Sequence, residues 1–146
     1  MSPVRRLFEV LLIEDNPGDV FLTQEAFRES RLALRLSVVG DGDEAMKFLR
    51  REEMHKQAPR PDLVLLDLNL PRKDGRELLA EMKDDVELRS IPVIILTTSE
   101  SRQDVYRAYR LHANCYLTKP IQVDHFLRKI RSVEDFWFSV ARLPSD

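Results

Sequence analysis

Short apolar runs along the chain alternate with longer amphipathic stretches. Three continuous runs, Val10–Ile13, Leu63–Leu66 and Val93–Leu96, are too short for buried helices and are typical of central strands covered on both faces. The alternating segment Leu34–Val39 predicts a strand nearer an edge, and Asn114–Thr118 predicts a weaker fifth strand. The chain therefore contains five predicted strands.

Each predicted strand is followed by residues at helical spacing. The first helix begins at Asn16-Pro17, since asparagine is a favoured N-cap and proline suits the first helical position. Its buried stripe is predicted to contain Val20, Phe21 and Phe27. Later helices are predicted at about 43–51, 76–83, 102–111 and 123–142. The last one carries an inward stripe with spacings of 4, 3, 4 and 3, namely Phe126, Ile130, Val133, Trp137 and Val140.

This alternation predicts an α/β fold. Five βα units imply a parallel sheet with right-handed crossovers. A five-stranded, doubly wound, flavodoxin-like sheet of order 2-1-3-4-5 fits the 146 residues, which we interpret as a single domain spanning 1–146.

Composition narrows the class of partner and the compartment. The net charge of −2 gives no general argument for nucleic acid or membrane binding. No apolar run approaches the ~20 residues that span a bilayer, and residues 1–9 do not look like a signal peptide. Since Cys115 is the single cysteine, no internal disulfide can form. We expect a cytoplasmic protein with neither nucleic-acid nor membrane partners.

Candidate chemistry lies where the strands end. Glu14-Asp15 follow the first strand and Asp67 ends the third, while Thr97 and Lys119 follow the fourth and fifth. In a parallel sheet these ends share one edge, which is where open α/β sheets bind ligands. For Asp67 or Lys119 alone, a solvated loop residue is the simpler interpretation; four such endings together favour a site.

The expected site is acidic. Glu14, Asp15 and Asp67 would repel one another, and a divalent cation would relieve that repulsion. Oxygen ligands without histidine or cysteine favour Mg²⁺. With Mg²⁺ and Lys119 neutralising phosphoryl oxygens and Thr97 offering a hydroxyl, Asp67 could act as a nucleophile that forms an acyl phosphate.

These residues, in this order, resemble the signature of the response-regulator receiver domain of two-component signalling. The resemblance is carried by Glu14-Asp15, the run Leu65–Gly75 around Asp67, Thr97 and Lys119-Pro120, and it covers about residues 8–132. It implies a phosphorelay protein that accepts a phosphoryl group from a sensor histidine kinase.

The resemblance also implies a role for each residue. Asp67 would be the phosphoacceptor, and Glu14, Asp15, Asp67 and the backbone carbonyl of Asn69 would hold Mg²⁺. Thr97 and Lys119 would bind the phosphoryl group, while Thr97 and Tyr116 would form the conformational switch. The Lys119–Pro120 bond would be cis. The protein would catalyse only its own phosphorylation and dephosphorylation, so we do not expect a conventional enzyme.

Residues of about 133–146 extend the last helix beyond the usual receiver. Phe136-Trp137 and Leu143-Pro144, together with Asn16-Pro17-Gly18-Asp19, resemble the single-domain response regulators of phytochrome-type histidine kinases. That resemblance implies a homodimer through the predicted fourth helix, the fifth strand, the last helix and the extension. A helix end that packs on its own domain is the simpler alternative.

Two other functions remain open. A pseudo-receiver would bind partners without ever carrying phosphate. An aspartate-nucleophile phosphohydrolase of the haloacid dehalogenase type would need a second aspartate two residues after Asp67, where this chain has Asn69. We therefore expect a stand-alone receiver that signals through changed protein contacts.

Overall fold

The computed structural model describes residues 7–30, 33–97 and 115–130. Its five strands agree with the predicted ones to within a residue or two at each end; they are β1 (Phe8–Ile13), β2 (Leu34–Val39), β3 (Leu63–Asp67), β4 (Val93–Thr97) and β5 (Cys115–Thr118). The predicted helix over 102–111 and the chain from residue 131 onwards, which includes the predicted extension, lie outside the described residues.

Helices connect the strands in the described ranges. They are α1 (Pro17–Ser30), α2 (Gly42–Arg50), α3 (Gly75–Asp84) and α4 (Val123–Ile130), with a 3₁₀ turn at Glu53–His55. The first three begin after an Asn or Asp side chain that accepts a first-turn N–H, in the pairs Asn16 with Asp19, Asp41 with Glu44, and Asp74 with Arg76. The predicted start of α1 at Asn16-Pro17 is confirmed.

The strands form one parallel sheet of order β2-β1-β3-β4-β5, which confirms the predicted doubly wound α/β fold. In the register of the central strands, Ile13 lies beside Leu66, and Asp67 lies beside Leu96. The carboxyl ends of β1 and β3 are therefore adjacent, and the residues that follow them share one edge.

Two separate hydrophobic cores cover the faces of the sheet. Successive residues of β1 alternate between them, since Leu11 and Ile13 belong to one core and Val10 and Leu12 to the other. The first core includes buried residues of α2 and α3, and the second includes Phe27 of α1 and Phe126 of α4. Burial on both faces explains why the central strands are continuously apolar.

One predicted core residue of α1 is exposed. Phe27 is buried and Val20 packs against the core, but 59% of Phe21 is accessible to solvent. Thr23 is buried in its place, and its hydroxyl donates to the backbone oxygen of Asp19 at 2.8 Å. Val20, Thr23 and Phe27 have the spacing i, i+3, i+7, which defines one helical face, whereas Phe21 lies about 100° from it.

No helix within the described ranges is long and apolar enough to cross a membrane.

The Phe27–Phe126 contact should be a major source of stability, because it joins α1 to α4 over the sheet. The two rings meet edge to face with centroids 4.8 Å apart, and Phe126 is fully buried. We expect Phe126→Ala to lower the free energy of unfolding by about 3–5 kcal/mol, measured by urea denaturation. Phe21→Ala, the matched exposed change, should stay within about 0.5 kcal/mol. Equal losses for both variants would contradict this packing.

Candidate functional site

The acidic cluster begins where β1 and β3 end. The N–H of Glu14 donates to the carbonyl of Val39 at 3.0 Å, which continues the β1–β2 ladder by one residue. Glu14 and Asp67 are 2% and 6% exposed, whereas Asp15 is exposed. One carboxylate oxygen from each of Glu14, Asp15 and Asp67 lies within 4.8 Å of the others. The structure thus brings together the three carboxylates that the strand order predicts.

Lys119 lies among these carboxylates. It follows β5, and its peptide bond to Pro120 is cis. Its Nζ is 2.6 Å from Glu14 Oε1, 3.1 Å from Asp67 Oδ2 and 3.1 Å from Asp19 Oδ2. A single ammonium group therefore bridges the ends of β1, β3 and β5 and the first turn of α1.

The pKa values of Glu14 and Lys119 are both raised at the site, for different reasons. Burial is the main cause for Glu14, and the neighbouring Asp67 adds to it; against the opposing effect of Lys119, they raise the pKa of Glu14 to about 7. Burial alone would lower the pKa of Lys119. The contacts with Glu14 and Asp67 more than compensate for it and raise that pKa well above its ordinary value. Lys119 is thus held in its charged form.

A tight loop after β3 orients Asp67. Asp67 Oδ1 accepts the backbone N–H of Asn69 at 3.1 Å, and the N–H of Gly75 donates to the carbonyl of Leu68 at 3.0 Å. A Cβ at Gly75 would lie 2.6 Å from both the carbonyl oxygen of Asp67 and the Cα of Leu68. Glycine is therefore needed here for close approach of the backbone, so that α3 can begin directly behind Asp67.

The donor set suits a small divalent cation. Among the described residues, buried Glu14 Oε1 accepts no hydrogen bond; it is close to Lys119 without hydrogen-bond alignment, so it retains a lone pair for a metal. All three carboxylates are hard oxygen donors, and exposed Asp15 leaves one side open to water, as Mg²⁺ prefers. The residues therefore fit the predicted Mg²⁺.

Other predicted site residues are placed less completely. Thr97 ends β4 beside Thr118 of β5; the structure describes the backbone of Thr97 and not its side chain. Tyr116 is half-buried and packs against the core on the α2 and α3 side. Asn69 is exposed, and the ligand role of its carbonyl stays a prediction.

Sequence reasoning missed Asp19 as a member of the site. Asp19 lies in the first turn of α1, and the hydrogen bond of its N–H to Asn16 Oδ1, at 2.9 Å, fixes its position. The N-cap at Asn16 signals which residues form that turn. No local pattern signals that the turn faces a lysine one hundred positions later.

The fold and the site define an α/β protein with an acidic, metal-binding edge at the carboxyl ends of its strands, and comparison with known proteins identifies the family. The chain belongs to the response regulator receiver domain family, whose profile matches residues 10–131. This result confirms the resemblance on which the predicted signalling class rests.

Its relatives include response regulators of phytochromes. Response regulator Rcp1 of Synechocystis sp. is 44% identical over 93% of this chain and 92% of Rcp1. The crystal structure of the Mn²⁺-bound form of Rcp1 covers 94% of this chain and 99% of its own, with a TM-score of 0.73. That of the phosphorylated cyanobacterial phytochrome response regulator RcpA is 46% identical and covers 96% and 100%, with a TM-score of 0.75. The bacteriophytochrome response regulator AtBRR is 38% identical and covers 97% and 99%, with a TM-score of 0.85.

Gly75 should be required for the shape of the site. We expect Gly75→Ala to lower the free energy of unfolding by about 1–3 kcal/mol and to weaken Mg²⁺ binding, because the added methyl group would displace the backbone at Asp67 and Leu68. Gly40→Ala is the control, since a Cβ there meets nothing within 4 Å and its backbone is unstrained; we expect it to be neutral or slightly stabilising. Urea denaturation and Mg²⁺ titration of both variants test this, and Mg²⁺ affinity unaltered in Gly75→Ala would contradict it.

Stability without metal should depend on Glu14. Its pKa is about 7 in the folded protein and 4.5 in the unfolded chain, so the folded state binds more protons between these values. Stability must then fall as the pH rises through that window, by up to about 3 kcal/mol from this group. With chelator present, Glu14→Gln should match wild type near pH 5 and exceed its stability at pH 8. A stability difference between the two proteins that does not grow from pH 5 to pH 8 would contradict the assignment.

Proposed function

We propose that the chain is a phosphorelay response regulator that accepts a phosphoryl group on Asp67, from a histidine of a sensor kinase, with Mg²⁺ as the cofactor. One observation carries this proposal: a buried strand-end carboxylate touches a lysine held in its charged form and lies within metal-binding reach of two further carboxylates. That combination is what phosphoryl transfer to an aspartate requires.

The transfer is a single displacement at phosphorus. An oxygen of the Asp67 carboxylate attacks, the P–N bond of the phosphohistidine breaks, and a P–O bond of an acyl phosphate forms, with the imidazole leaving as the neutral base after protonation. Lys119, whose Nζ already contacts Asp67 Oδ2, would then pair with a phosphoryl oxygen. A bound Mg²⁺ would supply further neutralisation of charge on the transferring group.

The chain's own residues prepare Asp67 for this reaction. The backbone N–H of Asn69 engages Oδ1, while Oδ2 faces Lys119, so the carboxylate has a fixed orientation at the sheet edge. Such pre-positioning lowers the barrier to attack. Hydrolysis by water, which releases inorganic phosphate and restores the carboxylate, would end the signal. The protein would therefore turn over only its own phosphoryl group.

Output would pass through protein contacts. We propose that Thr97 and Tyr116, on the neighbouring strands β4 and β5, change conformation on phosphorylation. Their movement would alter the surface formed by β5, α4 and the helix predicted over 102–111. The kinship with Rcp1, RcpA and AtBRR favours a phytochrome-type histidine kinase as the donor and a homodimer through that surface and the extension. A cytoplasmic location is consistent with both partners.

Asp67→Asn should abolish phosphorylation without unfolding the protein, because the amide keeps the size of the carboxylate but is not a nucleophile. With a small-molecule phosphodonor and Mg²⁺, intact mass should show one phosphoryl adduct on wild type and on Asp84→Asn, a surface control at the end of α3. The adduct should be lost on treatment with hydroxylamine, be absent without Mg²⁺, and be absent from Asp67→Asn.

Two results would overturn the proposal. Normal labelling of Asp67→Asn would show that another residue is the acceptor. No adduct on wild type, under conditions that label an established receiver domain, would favour a binding module that never carries phosphate.

A further inference from the structure

Lys119 contacts one carboxylate more than the expected site requires. Glu14 and Asp67 belong to the predicted site, whereas Asp19 was not assigned to it. In the described part of the chain, the acidic cluster able to hold a metal consists of Glu14, Asp15 and Asp67, without Asp19. Asp19 therefore acts on this site through Lys119, with its Oδ2 3.1 Å from Nζ.

Three carboxylate oxygens surround Lys119 Nζ, and two of them accept its hydrogen bonds. An ammonium group has three N–H donors. Nζ donates to Asp19 Oδ2 and to Asp67 Oδ2, both at 3.1 Å, and Glu14 Oε1 lies 2.6 Å away without hydrogen-bond alignment. A phosphoryl oxygen that pairs with Lys119 must therefore compete with carboxylates that already neutralise the ammonium group.

The three carboxylates differ in what releases them. Phosphorylation converts the carboxylate of Asp67 into a mixed anhydride, the acyl phosphate, so the carboxylate charge is lost and negative charge is carried by the phosphoryl oxygens instead. Glu14 can turn its free lone pair to a divalent cation. Asp19 is neither phosphorylated nor part of the acidic metal cluster, so it remains a negatively charged partner of Lys119 when the phosphoryl group binds. The carboxylate of Asp19 and the phosphoryl group then compete for the ammonium group of Lys119, and the two anions also repel each other.

Asp19 is held in place for this competition. Its N–H donates to Asn16 Oδ1, and its backbone oxygen accepts the hydroxyl of buried Thr23, so the first turn of α1 fixes the backbone. About a third of the side chain is exposed, which places the carboxylate between Lys119 and solvent.

We propose that Asp19 competes with the phosphoryl group for Lys119, and thereby lowers the affinity of the site for that group and shortens the life of the acyl phosphate. This inference rests on the proposed function, since it concerns the same site. Asp19 would not touch the reacting atoms; it would control the availability of the lysine that does.

Beryllium trifluoride, a non-covalent mimic of the phosphoryl group, tests the proposal directly. Its dissociation constant can be measured by ¹⁹F NMR in saturating Mg²⁺ on the whole chain. Asp19→Asn should bind it about fivefold more tightly than wild type, because the amide no longer holds the ammonium by charge. Asp19→Glu, which keeps the charge, should restore affinity close to that of wild type.

Two measurements separate competition from a structural role. Asp84→Asn removes an equal charge from an exposed position at the far end of α3, and it should leave the dissociation constant unchanged. The acyl phosphate of Asp19→Asn should also last severalfold longer than that of wild type. A change confined to thermal stability would show that Asp19 only supports α1 and would overturn the proposal.

The outcomes are distinct. If wild type binds beryllium trifluoride and Asp19→Asn binds it equally well or more weakly, the proposed competition by Asp19 is wrong while the proposed function stands. If wild type binds no beryllium trifluoride and takes up no phosphoryl group, the proposed function is wrong, and the inference about Asp19 is wrong with it.

Discussion

The ammonium group of Lys119 neutralises a concentration of negative charge that the sheet itself creates. Parallel strands bring their carboxyl ends to one edge, and in this chain that edge gathers Glu14, Asp15 and Asp67. Burial makes the repulsion costly, as the raised pKa of Glu14 shows. The remaining features of the site, including the room for a divalent cation, follow from how this charge is balanced.

The hydrophobic cores make such an edge tolerable. Apolar packing on both faces of the sheet fixes the strands, so the carboxylates cannot move apart to relieve their repulsion. The loop from Asp67 to Gly75 is folded equally tightly, with a backbone hydrogen bond from Gly75 to Leu68. The packing of the protein thus holds the carboxylates in an electrostatically unfavourable arrangement, which binding of a cation or a phosphoryl group can relieve or exploit.

Most of the fold could be predicted from the sequence, because strand and helix periodicities are local and strong. The error at Phe21 was also local: a stricter helical phase from Val20 to Phe27 would have placed Thr23 inside and Phe21 outside. Glu14, Asp15, Asp67 and Lys119 could be brought together because sheet order determines which strand ends meet. Asp19 could not, because its distance to Lys119 depends on how α1 packs against α4 through Phe27 and Phe126, and no pattern in one chain encodes that angle.

The persistent charge on Lys119 also bears on chemical self-damage. An acyl phosphate is an activated carboxyl group, and a neutral amine at the distance of Lys119 from Asp67 would attack its carbonyl carbon. That attack would expel inorganic phosphate and leave an amide crosslink between the two side chains, which is irreversible. A protonated amine has no lone pair for this reaction, and the neighbouring carboxylates keep Lys119 protonated. The cluster of acidic groups therefore protects the proposed switch from an irreversible crosslink between Lys119 and Asp67.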